Sequence, residues 1–254
     1  MTILHLNCGY LHAPPFPPAA CHGLVVVRGD RLVLVDSGLG LLDRANPMER
    51  VGEAAIQAAG FQFHESLTAI RQIEAMGFAA DQVRDIVLTH GDPDHVGGLA
   101  DFPHAAVHLS HREHAAILAG DARYSAAQFA HHPHWQTVAF AEDAWFGLPA
   151  VRLPFDDADI RLVSLPGHTV GHCGVAIADG DRWLLHVGDA YYLRVELSTD
   201  DHPVSQLATF RAADNHQRLA SLAQLRRLAN AHADAIEMTG YHDFSEFPTP
   251  PRLP

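Results

Sequence analysis

Short apolar runs broken by glycine- and proline-rich turns dominate the chain, and five of them end on an acidic residue or a histidine. Residues 2–6 read as a strand. Residues 10–22 contain Pro14, Pro15, Pro17 and Pro18 and read as an irregular loop. The Val- and Leu-rich runs 24–28 and 31–36 flank Gly29-Asp30, which is a hairpin signal. Residues 49–59 have helical composition. Residues 66–76 place Leu67, Ile70, Ile73 and Met76 three apart before Gly77, the spacing of an amphipathic helix with a glycine cap.

Residues 85–89 predict a buried strand that runs into His90-Gly91-Asp92-Pro93-Asp94-His95, where glycine and proline preclude regular structure. The second half repeats this rhythm. Strands are expected at 105–109 and 160–165, a helix at 112–119, a second hairpin from 174–178 and 183–187, a leucine-rich helix at 215–230 and a last strand at 235–239. Residues 120–150 read as irregular. The strand ends carry Asp36, the 90–95 segment, His168, Asp189 and His242, and polar groups on loops held by a rigid scaffold are where active sites usually sit. There is no residue-level repeat and no linker, so a single domain over 1–254 is expected.

Composition narrows the chemistry. Of the 254 residues, 17 are basic and 30 acidic, a formal charge of −13, and every basic residue is arginine. The absence of lysine excludes Schiff-base chemistry and a Walker-type phosphate loop. The acidic balance argues against a nucleic-acid partner. No apolar stretch approaches a membrane span, and the N-terminus lacks the basic and apolar regions of a secretory signal. A cytoplasmic protein acting on a small molecule, as a monomer or homodimer, is expected. Cys8, Cys21 and Cys173 are odd in number and form no CxxC, which argues against disulfides and thiolate zinc sites. The 20 histidines direct attention to metal binding or proton transfer.

The densest signal is His90-Gly91-Asp92-Pro93-Asp94-His95-Val96-Gly97-Gly98, with four ligand-type side chains in six residues. It resembles the HxHxDH signature of the metallo-β-lactamase superfamily. Asp36-Ser37-Gly38, Pro166-Gly167-His168-Thr169-Val170-Gly171-His172, Gly188-Asp189 and Gly240-Tyr241-His242 follow in that family's order. The resemblance implies a four-layer αββα sandwich, two mixed β-sheets flanked by helices, with a two-metal site at one edge. It implies that His90, Asp92 and His168 hold a first ion and that Asp94, His95 and His242 hold a second. Asp189 would bridge the two, with Asp36 and His172 orienting their neighbours. Imidazole and carboxylate donors without thiolates suit a catalytic site for two divalent ions such as zinc.

One position departs from the pattern, because the second histidine of the signature is Asp92 here. With two divalent ions, three carboxylates and a bridging hydroxide the centre would be neutral, whereas the all-histidine version would carry one positive charge. The harder oxygen donor shifts preference toward iron or manganese.

The overall layout is similar to the N-acyl-homoserine lactone lactonases, and Asp189-Ala190-Tyr191-Tyr192 matches that branch. The resemblance implies a hydrolase in which a metal-bridging hydroxide attacks a lactone or related ester carbonyl. Tyr192 would face the carbonyl oxygen, and Asp94 would pass a proton to the leaving alkoxide. Phe16, Phe61, Phe63, Trp135 and Phe146 are candidates for an acyl pocket. The alternatives are a glyoxalase-II-like thioesterase, a diiron oxidoreductase suggested by Asp92, and a metal-binding member that has lost turnover.

Overall fold

The computed structural model describes residues 1–251 and 253. Its first sheet is built from β1 (Thr2–Leu11), β2 (Ala19–Arg28), β3 (Arg31–Val35), β4 (Phe61–Gln62), β5 (Val83–Val87), β6 (Ala106–Ser110) and β7 (His134–Val138), in the spatial order β4-β1-β2-β3-β5-β6-β7. The second contains β8 (Ala144–Trp145), β9 (Leu148–Arg152), β10 (Ile160–Ser164), β11 (Cys173–Asp179), β12 (Arg182–His186) and β13 (Ile236–Thr239), in the order β13-β12-β11-β10-β9-β8. Both sheets are mixed. β3, β5, β6 and β7 run parallel beside the antiparallel β1–β3 meander, and β13 joins the antiparallel second sheet parallel to β12.

Central strands are buried on both faces, which is why they read as continuous apolar runs. Leu24, Val26, Val33, Val35 and Val87 point between the sheets and meet Ile160, Leu162, Val175, Ile177 and Leu184. Their alternates Val25, Leu32, Leu34 and Ile86 face outward and are covered by Ala69, Ile70 and Ile73 of the helix Ala69–Ala75. On the other side, Leu222, Leu225 and Leu228 of the helix Asn215–Ala231 cover Leu185, Val187, Ile236 and Met238. The result is the expected succession of helix, sheet, sheet and helix. Both anticipated hairpins form, β2 with β3 and β11 with β12.

Two expectations need correction. Residues 120–150 are not irregular throughout, since they supply β7, β8 and the start of β9. β7 and β8 are edge strands of their sheets, and β7 leaves most of its side chains in contact with solvent, so no apolar run marks it. The irregular segment at 10–22 also shrinks: β1 continues to Leu11 through a register shift between Asn7 and Tyr10, and β2 begins at Ala19. Gly9 sits in that shift at φ 130, a conformation that disfavours any side chain. The three cysteines are buried free thiols. Among the described residues, no helix is long and apolar enough to cross a membrane.

Candidate metal centre

The chain leaves β5 through Leu88 and Thr89 into the 90–96 segment. Asp92 ends the extended stretch, and Pro93 opens the helical turn Pro93–Val96. Close packing fixes this loop from behind. A Cβ on Gly97 would run into the carboxylate of Asp43, and one on Gly98 would lie 2.5 Å from the Ser37 carbonyl oxygen. The loop lies against the turn after β3, where Ser37 N–H donates to the His95 carbonyl at 2.8 Å.

All seven ligand-type residues anticipated from the sequence converge here, and all are buried. Three overlapping groups have donor atoms within 4.8 Å of one another: His90, Asp92 and His168; His90, His95 and Asp189; and Asp94, His95 and His242. His95 Nε2 is 3.3 Å from Asp189 Oδ1 and 3.7 Å from Asp94 Oδ2, and His242 Nε2 is 3.2 Å from Asp189 Oδ2. Such separations match the edge of a tetrahedron, about 3.4 Å, for bonds of roughly 2.1 Å.

Hydrogen bonds on the far side of each ring aim the donors inward. His95 Nδ1 pairs with Asp36 Oδ2 at 2.9 Å, and His242 Nδ1 with the Ala20 carbonyl at 2.8 Å. His90 Nδ1 lies 3.0 Å from Thr89 Oγ1. Each contact leaves Nε2 for the centre. Asp36 is fully buried, has a positive φ of 50, and also accepts from the N–H and the hydroxyl of Thr89, both at 2.8 Å. His172 donates from Nδ1 to the Leu165 carbonyl at 2.9 Å, and its Nε2 accepts the Asp189 N–H at 3.0 Å, which fixes the backbone of Asp189.

The donors differ in one respect. His90 Nε2, His95 Nε2, Asp94 Oδ2 and Asp189 Oδ1 are buried without any hydrogen-bond partner. Buried polar atoms are costly to leave unpaired, so these four, spread over two donor groups that share His95, fit a bound cation. Burial, with His95 adding to it, lowers the His90 pKa to about 3 and keeps the imidazole neutral. At Asp92 the situation is reversed. Arg123 donates from Nη2 to Asp92 Oδ2 at 2.6 Å and from Nε to Asp92 Oδ1, and the same Nη2 lies 2.6 Å from His168 Nε2. Burial alone would push the Asp92 carboxyl up, but the guanidinium holds it well below the usual range.

The metallo-beta-lactamase superfamily profile matches residues 17–236. A probable metallo-hydrolase of Mycobacterium tuberculosis is 43% identical over 204 residues, 76% of this chain and 64% of that protein. The chain belongs to the metallo-beta-lactamase superfamily. An N-acyl homoserine lactonase of Agrobacterium fabrum is 26% identical over 179 residues, 68% of this chain and 63% of that one. The match therefore spans less than two-thirds of these curated relatives' length. A solved N-acyl homoserine lactone hydrolase, with N-hexanoyl-L-homoserine bound at its catalytic metal center, superposes with a TM-score of 0.72. It covers 96% of this chain and 94% of that one at 17% identity, and shares the fold.

Two residues of this superfamily member escape sequence reasoning. Arg123 lies in a segment with no motif, and only the carboxylate at 92, which calls for a cation, hints at it. Glu113 is fully buried on the helix His111–Leu118. It accepts from Gly91 N–H at 2.9 Å and Tyr124 hydroxyl at 2.9 Å through Oε1, and from Thr169 hydroxyl at 2.6 Å and Gly171 N–H at 3.1 Å through Oε2. It therefore ties the 90–95 loop to the loop that carries His168. Tyr192 is buried beside the centre, its ring 5.2 Å from that of His242, with a long 3.5 Å contact from its hydroxyl to His168 Nδ1.

Of the aromatic residues considered for an acyl pocket, Phe61 and Phe63 stack on each other, with ring centroids 6.0 Å apart. Phe61 packs on Leu39 and Val51, and Trp135 on the first-sheet core. Phe146 contacts His232, at the opposite end of the long helix from the Asp214 N–H that bonds Gly167.

Proposed function

We propose that the protein is a divalent-metal-dependent hydrolase that opens lactones or related esters. The four unpartnered donor atoms carry this reading, because His90, His95, Asp94 and Asp189 present a buried binding site with no competing protein partner. His242 joins them through its Nε2. A bound zinc, iron or manganese ion would supply a Lewis acid and a nucleophilic water at neutral pH.

The remaining roles fall to side chains. Burial first, and the nearby Asp189, hold the phenol of Tyr192 well above its usual pKa, so it stays a donor. Its weakly engaged hydroxyl is placed to donate to a carbonyl oxygen as negative charge develops there. Burial likewise raises the Asp94 carboxyl, with Asp189 and Asp92 opposing its ionisation. With an ion on Oδ2, Asp94 lies beside the reacting atoms, where its carboxylate is placed to relay a proton to the leaving alkoxide. The lactone class is supported by the Agrobacterium fabrum relative.

The test is a panel of an acyl-homoserine lactone, a simple aryl ester, a glutathione thioester and a phosphodiester, assayed before and after chelation. Metal-dependent turnover of the lactone or ester is expected. Turnover of the thioester or phosphodiester alone would overturn the substrate class, and turnover unaffected by chelation would overturn the metal requirement.

A further inference from the structure

The donors of the two metal positions are not equivalent. On one side of the centre, Asp94 Oδ2, His95 Nε2 and Asp189 Oδ1 meet nothing but each other. On the other, His90 Nε2 is also free and lies within reach of His95 and Asp189, but Asp92 and His168 are already engaged. Arg123 Nη2 stands between Asp92 Oδ2 and His168 Nε2, 2.6 Å from each, on the lone pairs a first metal ion would need. We propose that the Arg123 guanidinium is the resident cation of the first position, so that this chain takes one tightly bound divalent ion, at Asp94, His95, Asp189 and His242, and not a pair. The proposal rests on the metal-dependent reading above and refines it.

Four observations support the assignment. First, the contact is a two-pronged fork of Nε and Nη2 on the two carboxylate oxygens, the geometry a guanidinium makes with a carboxylate and cannot make with an imidazole. An aspartate at position 92, in place of the histidine of the signature, and an arginine at 123 therefore explain one another.

Second, the arginine is built into place. Its Nη1 donates to the Arg211 carbonyl at 2.6 Å. The residues after it are fastened to the centre's own supports. Tyr124 bonds Glu113, Ser125 hydroxyl donates to the Arg50 carbonyl at 2.6 Å, and Gln128 amide donates to the Pro93 carbonyl at 2.9 Å.

Third, charge favours one ion. The carboxylates of Asp92, Asp94 and Asp189 are balanced by one divalent ion together with the guanidinium. A second ion would leave two excess positive charges in a buried volume, or one if a hydroxide bridged the pair. Arg211, half-exposed with its Nη2 3.5 Å from Asp92 Oδ2, would add to the repulsion.

Fourth, a guanidinium does not give up its proton in proteins, so the competitor persists at any working pH.

The experiment counts ions. Metal-stripped full-length protein is titrated with Co2+, following its visible absorption, and Zn2+ per chain is measured by elemental analysis after dialysis. The wild type is expected to hold one ion, with any second ion bound roughly 100-fold more weakly or worse. Arg123→Met is expected to raise the count to two, whereas Asp92→Ala should leave the wild-type count of one unchanged. Two ions of similar affinity in the wild type, with Asp92→Ala reducing them to one, would overturn the proposal. The wild-type count decides even where a variant fails to fold. A wild type that binds no ion contradicts the hydrolase reading itself, an outcome distinct from finding two.

Discussion

Asp36 offers the sharpest perturbation, because it never reaches the centre directly. Its Oδ1 accepts the Thr89 N–H, while Oδ2 accepts the Thr89 hydroxyl and faces His95 Nδ1 at 2.9 Å. Asp36→Asn preserves shape and can keep the Thr89 N–H bond, but it presents an NH2 group to His95. The imidazole can satisfy that donor only by accepting at Nδ1, which moves its proton to Nε2 and removes the lone pair aimed at the metal. Loss of such an outer partner weakens metal binding by about 10–100-fold, or about 1.4–2.7 kcal/mol. The charge-assisted bond lost from the metal-free fold adds about 1.5–3 kcal/mol of destabilisation. Competition with a chromophoric chelator measures the first quantity and urea denaturation of the stripped protein the second. A folded Asp36→Asn protein that binds metal within a factor of about three of the wild type would refute this account of how His95 is aimed.

Other outcomes follow from the same geometry. Glu113→Ala leaves the Gly91 and Gly171 N–H groups buried without an acceptor, at about 1–3 kcal/mol each, and should lower the urea midpoint and weaken metal binding together. Tyr192→Phe should reduce kcat on the lactone by roughly 10–100-fold at unchanged metal content, and unchanged kcat would remove the tyrosine from the reaction. At Asp101, burial pushes the carboxyl up to about 7. The folded state then holds a proton that the unfolded chain has released, between about pH 4 and pH 7. Stability should therefore fall as pH rises through that window, and Asp101→Asn should gain more melting temperature at pH 8 than at pH 5. An equal change at both pH values would contradict the shift.

Much of this architecture is legible in the linear chain, and the boundary of what is legible is physical. Strands buried on both faces announce themselves as unbroken aliphatic runs, and for that reason β2, β3, β5 and β12 stand out. The strands β7 and β8 at the sheet edges and β9 beside one do not, because they are short or bury few side chains and β9 contains Pro149. His90 to His95 are legible as a group because one tight turn delivers them. Arg123 is not, since it lies 31 residues from Asp92 and 45 from His168 and meets them only through tertiary folding. Glu113 is similarly hidden: its four partners come from the 91, 124, 169 and 171 positions, and nothing local marks a glutamate on a short helix as buried.

The most direct test of the central claim couples ion content to lactone opening in one protein. Metal-stripped wild type is titrated with Zn2+ or Mn2+ while acid release from N-hexanoyl-homoserine lactone is followed, in parallel with Asp189→Asn. Hydrolysis should rise in step with bound ion and saturate with it, and the asparagine variant should lose both. Ring opening that proceeds equally in the stripped protein, or that survives intact in Asp189→Asn, would contradict a metal centre built from these strand ends.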